Sequence, residues 1–203
     1  MIAVIDYGMG NLGSVAKALT ALGGRFEVVD DPGKLGAYTS ILLPGVGNFG
    51  DGMRNLSERG FVDVLRDRAG NGTPFFGICL GMQMLFDSSE EAPGVAGLSI
   101  LPGTVRRFPD GAEKVPHMGW NDVHVAHPHP MIAGLPDGAF VYFVHSYYVV
   151  PAREEDAVLT CRYILSFTAA AGRGNVFATQ FHPEKSQKAG LRLLGNFVEK
   201  DGI

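Results

Sequence analysis

Short apolar runs alternate with helix-like segments along the first ninety residues. Four of the runs have the length and composition of buried strands: residues 2–7, 26–29, 41–43 and 75–78. Three segments between and after them carry apolar side chains at helical spacing: residues 15–22, 61–69 and 80–86. Ser14 is the predicted N-cap of the first helix. Because the connections are short, this alternation predicts a parallel sheet with helices on both faces.

The second half of the chain is richer in strand-like patterns. Segments separated by Gly, Pro and Asp are expected to form strands at residues 105–108, 123–125, 140–150, 158–162 and 175–181. Residues 172–175 predict a hairpin turn between two strands, and residues 186–200 a final helix with Ala189, Leu193, Leu194 and Phe197 on one face. The sequence thus predicts one α/β domain over residues 1–203, with a mixed, largely parallel central sheet and β-rich additions in its second half.

Composition and charge narrow the function. With 46% hydrophobic residues, a chain of 203 residues can bury a single core. Its 17 basic and 21 acidic side chains give a net charge of −4, which argues against a nucleic-acid partner. The apolar runs fall far short of the ~20 residues that a membrane span needs. A signal peptide would begin with a basic segment, and none precedes the first apolar run. We therefore expect a cytoplasmic protein with no membrane partner.

Cys79 lies between a predicted strand and a predicted helix, in a G-x-C-x-G motif at residues 77–81. Glycines on both sides permit a sharp turn that lifts the central side chain above the carboxyl ends of the strands. The start of the helix also favours a thiolate over a thiol. We interpret Cys79 as a candidate nucleophile. Cys161 has no such surroundings and is interpreted as a small buried side chain, and both cysteines are expected to be free thiols.

A nucleophilic cysteine needs a base, and the base needs a group that orients it. His182 and Glu184 lie two positions apart at the end of a predicted strand, so their side chains project to the same side. Pro183 restricts the backbone between them. Together with Cys79 they form a candidate catalytic triad.

The first loop has a pattern typical of a different function. Gly8, Gly10 and Gly13 follow a predicted strand and open a predicted helix, and Asp30 ends the next strand, as in a dinucleotide-binding fingerprint. A dehydrogenase would, however, need a second domain for its hydride acceptor and would not need the cysteine motif. We therefore favour a turn-forming role for these glycines.

The motif around Cys79 and the motif that contains His182 and Glu184 resemble those of the class I, or triad, glutamine amidotransferases. The hallmarks of that family are the G-x-C-x-G turn and a late H-P-E sequence, which residues 77–83 and 182–186 match. The resemblance implies the flavodoxin-like α/β fold of the family. Four further blocks resemble its imidazole glycerol phosphate synthase glutaminase subunits: DYGMGNL at 6–12, PGVG at 44–47, PHMGWN at 116–121 and FVHSYY at 143–148. Ile164 and Ala178 depart from the pattern, since glycine is usual at both positions.

The resemblance implies a role for individual residues. Cys79 would attack the side-chain amide of glutamine, His182 would transfer protons, and Glu184 would orient His182. Backbone N–H groups of Leu80 and Val46 would form the oxyanion hole. The residues expected to bind glutamine are Gly47, Gln83, Glu91, Ser146 and Tyr147.

The resemblance also implies a partner. Free ammonia protonates in water and diffuses away, so it must reach an acceptor site under cover, and this chain has no recognisable second substrate site. The family suggests a (β/α)₈ cyclase subunit in a 1:1 heterodimer, with Asn11, Trp120 and Lys185 at the interface. It implies no cofactor and no metal. The remaining histidines are interpreted as loop or packing residues: His117, His124, His127, His129 and His145.

Two other functional classes remain open. A cysteine hydrolase or peptidase would use the same turn at Cys79 but would not need Gln83 or the block at residues 145–148. A non-catalytic scaffold subunit would have no need for an intact triad.

Overall fold

The computed structural model describes residues 1–111 and 113–201. Its strands are β1 (Ile2–Ile5), β2 (Phe26–Val29), β3 (Ser40–Leu43), β4 (Phe75–Ile78), β5 (Ser88–Ser89), β6 (Gly103–Arg107), β7 (His117–Val125), β8 (Ala139–His145), β9 (Tyr147–Pro151), β10 (Ala157–Tyr163), β11 (Leu165–Arg173) and β12 (Val176–Thr179). Its α helices are α1 (Leu12–Ala21), α2 (Phe49–Glu58), α3 (Phe61–Gly70), α4 (Leu80–Met84) and α5 (Gln187–Asp201). Within the described ranges, no helix is both long enough and apolar enough to cross a membrane.

The strands join in one mixed sheet. β2, β1, β3 and β4 lie side by side in parallel, and β12, from near the end of the chain, adds as a fifth parallel strand beside β4. Beyond β12 the sheet continues antiparallel through β11, β10, β7 and β8, and β9 joins β11 to β6. The predicted α/β fold, with a mixed sheet and β-rich additions, is confirmed.

Helices cover both faces of the parallel strands, as the sequence predicts. β1 is buried at every position, and its alternate side chains enter two different cores: Ile2 and Val4 lie on one face, Ala3 and Ile5 on the other. α1 and α5 cover the first face and α2 and α3 the second. The predicted apolar face of the last helix is confirmed, since Leu193, Leu194 and Phe197 are buried apolar side chains, with Ala189 packed partly buried beside them.

One helix prediction was wrong in detail, and one helix was missed. α1 begins at Leu12, and its N-cap is Asn11, whose Oδ1 accepts the N–H of Ser14 at 3.3 Å. Asparagine caps a helix as well as serine does, so Ser14 falls inside the first turn. α2 was not predicted at all, because the glycines at its start disguise a helix. Its signal is the cap Asn48, whose side chain accepts two backbone N–H groups of the first turn.

The observed strands also differ from the predicted ones at their boundaries. The run at residues 140–150 is two strands, β8 and β9, separated at Ser146. β11 was not predicted, and it pairs with β12 through the predicted hairpin turn, with Arg173 opposite Val176. Ile164 joins β10 to β11 with φ 57°, a backbone conformation that glycine adopts at lower cost.

The pairing of β4 with β12 decides where the chemistry lies. The register sets Ile78 opposite Thr179, so the residues that follow each strand emerge at the same carboxyl edge of the sheet. Cys79 follows β4, and His182 follows β12. Two segments a hundred residues apart in sequence therefore meet at one place.

Candidate active site

Cys79 sits on a strained turn between β4 and α4, with φ 55° and ψ −109°. Positive φ is costly for a residue with a side chain, so the surrounding structure must hold it there. The Cys79 N–H donates to the carbonyl of Thr179 on β12 at 2.7 Å. A Cβ added to Gly81 would lie 2.0 Å from the carbonyl oxygen of Leu43, and one added to Gly77 would lie 3.0 Å from that of Gly81. The turn therefore requires both glycines of the motif.

His182 and Glu184 form a buried pair beside this turn. Nδ1 of His182 lies 2.9 Å from Oε1 of Glu184, and the side chains are only 2% and 1% exposed. The backbone N–H of His182 donates to the carbonyl of Tyr142 at 3.0 Å, which fixes the segment to β8. Within the described residues, Nε2 of His182 has no hydrogen-bond partner. It is thus the ring nitrogen available for proton exchange with Cys79.

The electrostatics of this pair favour an imidazolium. Burial by itself lowers the pKa of His182, but the neighbouring Cys79 sulfur and the Glu184 carboxylate outweigh burial and raise it well above its ordinary value. A positive ring next to the sulfur in turn stabilises a thiolate. The arrangement can therefore supply both a nucleophile and a proton donor.

A cavity of about 320 Å³ opens beside Cys79 and His182. Its size suits a small polar molecule. Its lining contains every residue predicted for the oxyanion hole and for glutamine binding: Val46, Gly47, Leu80, Gln83, Glu91, Ser146 and Tyr147. Glu184 lies behind His182.

The model of the family "Glutamine amidotransferase class-I" matches residues 3–200 of this chain. The chain belongs to this family. Relatives are similar over nearly the whole length. Imidazole glycerol phosphate synthase subunit HisH of Moorella thermoacetica is 54% identical over 198 residues, which cover 98% of this chain and 94% of that protein. The subunit of the same name from Syntrophotalea carbinolica is 50% identical over 203 residues, covering 97% and 98%.

Solved structures agree with the amidotransferase fold. A crystal structure described as a glutamine amidotransferase has a TM-score of 0.74 and 22% identity, and covers 100% of both chains. The structure of PurLQS from Thermotoga maritima has a TM-score of 0.73 and 20% identity, with 98% of this chain and 97% of that chain covered. At these identities the likeness speaks for the fold alone.

Gln83 lines the cavity of the amidotransferase site and is linked to a second glutamine, Gln180. Nε2 of Gln83 donates to the carbonyl of Tyr147 at 3.1 Å and to Oε1 of Gln180 at 3.0 Å. Gln180 in turn places its Nε2 3.8 Å from the Cys79 sulfur. Gln180 was not among the predicted site residues. Its signal in the sequence was its position two residues before His182, at the end of β12.

Glu91 also lines the cavity, together with Val46 and Gly47 of the turn at residues 44–47. Oε2 of Glu91 accepts the N–H of Phe49, the first residue of α2, at 2.8 Å. In the turn, Val46 is 39% exposed, and a Cβ added to Gly45 would lie 2.6 Å from the hydroxyl of Tyr7. Only a glycine fits there. The Tyr7 hydroxyl is buried and has no hydrogen-bond partner among the described residues; burial, followed by the nearby Cys79, raises its pKa.

His145 borders the cavity although it was interpreted only as a packing residue. Its Nδ1 donates to the carbonyl of Tyr147 at 2.8 Å, so its Nε2 accepts from Nδ1 of the buried His117 at 3.2 Å. Burial lowers the pKa of His117 to about 4, and burial together with His117 and His182 lowers that of His145 to about 3. Two neutral histidines therefore brace this side of the site. Among the described residues, no group of three or more His, Cys, Asp or Glu is placed to hold a metal ion.

The glycine-rich first loop lacks the packing of a dinucleotide motif. In such a motif the third glycine allows a helix to approach a strand closely, but a Cβ added to Gly13 would meet no atom within 4 Å. The side chain of Arg59 lies over Gly8, where an added Cβ would be 2.9 Å from its Nη2. The side chain of Asn11 caps α1 and is therefore not free to bind a ligand. The loop is thus a turn, as favoured from the sequence.

The predicted interface residues lie outside the cavity and are exposed. Asn11 stands at the start of α1, and Lys185 places its Nζ 5.8 Å from the ring centre of Tyr142. Trp120 is 46% exposed on β7, with Met118 at 64% beside it on the same strand and Phe140 at 62% on β8. These three residues form an exposed apolar patch, which we call the hairpin patch.

Proposed function

We propose that this chain is the glutaminase subunit of an imidazole glycerol phosphate synthase. The observation that carries the proposal is the Cys79, His182 and Glu184 constellation beside a small cavity, in a chain about half identical to subunits of that name. The reaction is hydrolysis of glutamine to glutamate and ammonia, for use in histidine biosynthesis. Like other enzymes of that kind, the protein would work in the cytoplasm.

In the first half of the reaction the Cys79 thiolate attacks the side-chain amide carbon of glutamine. The carbonyl oxygen takes up negative charge, which the backbone N–H groups of Leu80 and Val46 stabilise. Leu80 is suited to this because it is the first residue of α4, where the N–H has no acceptor within the helix. When the tetrahedral intermediate collapses, the C–N bond breaks and the His182 imidazolium protonates the departing nitrogen, giving ammonia and a thioester on Cys79.

In the second half, neutral His182 takes a proton from water, and the resulting hydroxide attacks the thioester. The C–S bond breaks, glutamate leaves, and Cys79 and His182 return to thiolate and imidazolium. Glu184 keeps Nδ1 of His182 as a donor throughout, so that Nε2 always faces the reacting atoms.

The rest of the cavity holds the substrate. Glu91 supplies a carboxylate for the ammonium group of glutamine, and Gly47, Gln83, Ser146 and Tyr147 surround the remaining atoms. The proposal requires no metal and no cofactor.

Ammonia then passes to a cyclase subunit in a 1:1 heterodimer. The hairpin patch supports this step. An exposed apolar patch of this kind is more often a protein interaction site than a surface that stays in contact with water. Asn11, Trp120 and Lys185 are the residues we expect at this interface.

Co-expression with a cyclase subunit tests the proposal. We expect the two chains to co-purify with the mass of a 1:1 complex, and the complex to release glutamate from glutamine but no product from peptide or ester substrates. Hydrolysis of peptides or esters in preference to glutamine would instead identify a general cysteine hydrolase. Absence of all three activities in an intact complex would support a scaffold role.

A further inference from the structure

Gln180 is the first residue after β12 and is completely buried next to the nucleophile. Its side chain makes two contacts: Nε2 lies 3.8 Å from the sulfur of Cys79, and Oε1 lies 3.0 Å from Nε2 of Gln83. Hydrogen bonds to sulfur are longer than those to oxygen, and the first distance lies at the long end of their range. Gln180 is held there by the strand pairing, because its neighbour Thr179 accepts the N–H of Cys79.

The orientation of both amide groups follows from the network. The carbonyl of Tyr147 can only accept a hydrogen bond, so the end of the Gln83 amide that faces it must be the NH₂ group. That same NH₂ group faces Gln180, which must therefore present its oxygen. The NH₂ group of Gln180 is then left for Cys79. The network therefore diverges from the Gln83 NH₂ group: one hydrogen bond ends at Tyr147, and two successive hydrogen bonds run through Gln180 to the sulfur.

An N–H donor at this place has a definite chemical effect. A thiolate is a much stronger acceptor than a thiol, so a donor aimed at the sulfur favours the charged form. Both hydrogens of the Gln83 NH₂ group are also engaged, so Gln83 can offer only its oxygen to a molecule in the cavity. This oxygen suits an N–H of an amino acid.

We infer that Gln180 stabilises the Cys79 thiolate by direct N–H donation and that Gln83 holds its amide in the required orientation. This inference deepens the proposed function and rests on it for the identity of the nucleophile. Gln83 thereby serves two purposes, since it borders the substrate cavity and fixes the donor to the nucleophile. The sequence-based assignment covered only the first.

Other titratable groups also act on this sulfur and must be kept constant in a test. His182 lies beside it with Glu184 behind, Tyr7 approaches from β1, and His145 borders the cavity from β8. Glu91 lines the cavity as well. Substitution of Gln180 leaves all of these side chains in place.

Replacement of Gln180 by methionine removes the donor at similar length. The measurement is the rate of Cys79 alkylation by iodoacetamide as a function of pH, on the full chain alone and with its cyclase partner. We expect the alkylation rate of Gln180→Met to be about tenfold lower than that of the wild type at pH 6. At high pH, where Cys79 is fully ionised in both proteins, the rates should differ by less than about twofold. Gln180→Asn, whose amide is too short to reach the sulfur, should behave in the same way and serves if the Met variant does not fold.

Asn196→Leu is the matched control. It removes a buried side-chain amide on α5 that donates to the carbonyls of Met131 and Ala133 at 2.9 Å, and Asn196 is not among the residues that line the cavity. We expect a wild-type alkylation profile. If the Gln180 variants also keep the wild-type profile while folded, or if they lose rate equally at every pH, Gln180 only fills space and the inference is wrong. If wild-type Cys79 itself fails to react at any pH, the proposed nucleophile is at fault instead.

Discussion

At the scale of single residues, the two cysteines show how surroundings decide chemistry. Cys161 lies inside β10, where burial, followed by the nearby Asp122, raises the pKa of its thiol to about 12. It is therefore a thiol in the folded protein. Cys79 has a strained turn, an imidazolium neighbour and an amide donor around its sulfur. The same side chain is inert in one place and suited to attack in the other.

The first prediction concerns these two cysteines. Cys79→Ser should abolish glutamine hydrolysis, because a serine hydroxyl at this site is not ionised, whereas Cys161→Ser should retain nearly wild-type turnover. Glutamate formation is measured for both variants in complex with the cyclase, and added ammonia should still support the cyclase reaction in the Cys79 variant. More than a trace of glutaminase activity in Cys79→Ser would remove Cys79 as nucleophile.

The second prediction concerns Glu184 and pH. The Glu184 carboxylate helps to raise the pKa of His182, so the imidazolium persists to higher pH than for a free histidine. In Glu184→Gln the amide can still accept from Nδ1 but carries no charge, so the pKa of His182 falls. We expect kcat to decrease by at least about tenfold and the alkaline limb of its pH profile to move to lower pH. An alkaline limb that stays in place would show that Glu184 acts through geometry alone.

At the scale of elements, the site depends on glycines that allow backbones to touch. The β4 to α4 turn packs against the end of β3 so closely that no side chain fits at Gly81. The turn at residues 44–47, which follows β3, is built in the same way at Gly45 against Tyr7. The proposed nucleophile and oxyanion donors are therefore set by the close approach of glycine main chain to neighbouring groups, the Leu43 carbonyl at Gly81 and the Tyr7 hydroxyl at Gly45.

The third prediction tests this close packing. Gly81→Ala would place a Cβ 2.0 Å from the carbonyl of Leu43, so the free energy of unfolding should fall by about 3 kcal/mol or more. Gly13→Ala is the control, because its Cβ would meet no atom within 4 Å and Gly13 lies in α1, where alanine is the better helix former. We expect the control to be neutral or stabilised by up to about 1 kcal/mol. Chemical denaturation measures both, and a mild effect at Gly81 would contradict the steric argument.

The fourth prediction concerns the surface beside β8. Lys185 follows Glu184 directly and is exposed above Tyr142, where its cation can reach an acidic residue of a partner. Lys185→Ala should weaken binding of the cyclase or its stimulation of glutaminase activity, while Cys79 alkylation in the isolated chain stays unchanged. Lys34→Ala provides the control, since this exposed lysine lies near β2, at the opposite edge of the sheet. Equal affinity and equal stimulation in both variants would remove Lys185 from the interface.

At the scale of the whole molecule, the cavity is connected to the hairpin patch through β8. The triad segment at residues 182–184 is fixed to β8 by the backbone bond between His182 and Tyr142, and β8 pairs with β7 to form the hairpin that carries the patch. Binding of a partner to the patch therefore acts on a strand that holds the catalytic segment. This gives a physical route from the interface to the site.

The fifth prediction is that the isolated chain hydrolyses glutamine poorly and is activated when the partner binds its own substrate. Glycines on both sides of Val46 allow the peptide entering Val46 to present either an N–H or a carbonyl to the oxyanion. Loss of one such donor typically costs about 10²–10³ in turnover, so this change alone would give a large activation. Turnover is measured for the chain alone, for the complex, and for the complex saturated with the partner's ligand. Comparable rates in all three would mean that the site is preformed.

The sequence by itself determined the fold class, the helices on both faces, the hairpin turn at residues 172–175 and the candidate triad. These features rest on local patterns: apolar spacing, glycines around Cys79, and the short H-P-E sequence. The strand alternation expected for His182 and Glu184 was wrong, because β12 ends at Thr179 and Pro183–Lys185 form a 3₁₀ turn, which still brings the two side chains together. Helix α2 and strand β11 escaped prediction, since glycines obscure the first and the short, small side chains of the second carry little pattern.

Only the tertiary structure decided which distant residues meet. Placing β12 beside β4 is a long-range pairing that no local pattern specifies, and it alone brings His182 and Gln180 to Cys79. The same holds for the hydrogen bond between His145 and His117, where strands β7 and β8 pair. Burial then sets the charge of each group, because the pKa of a histidine depends on its neighbours in space. Sequence fixes the residue types available, and packing decides which of them share a low-dielectric site.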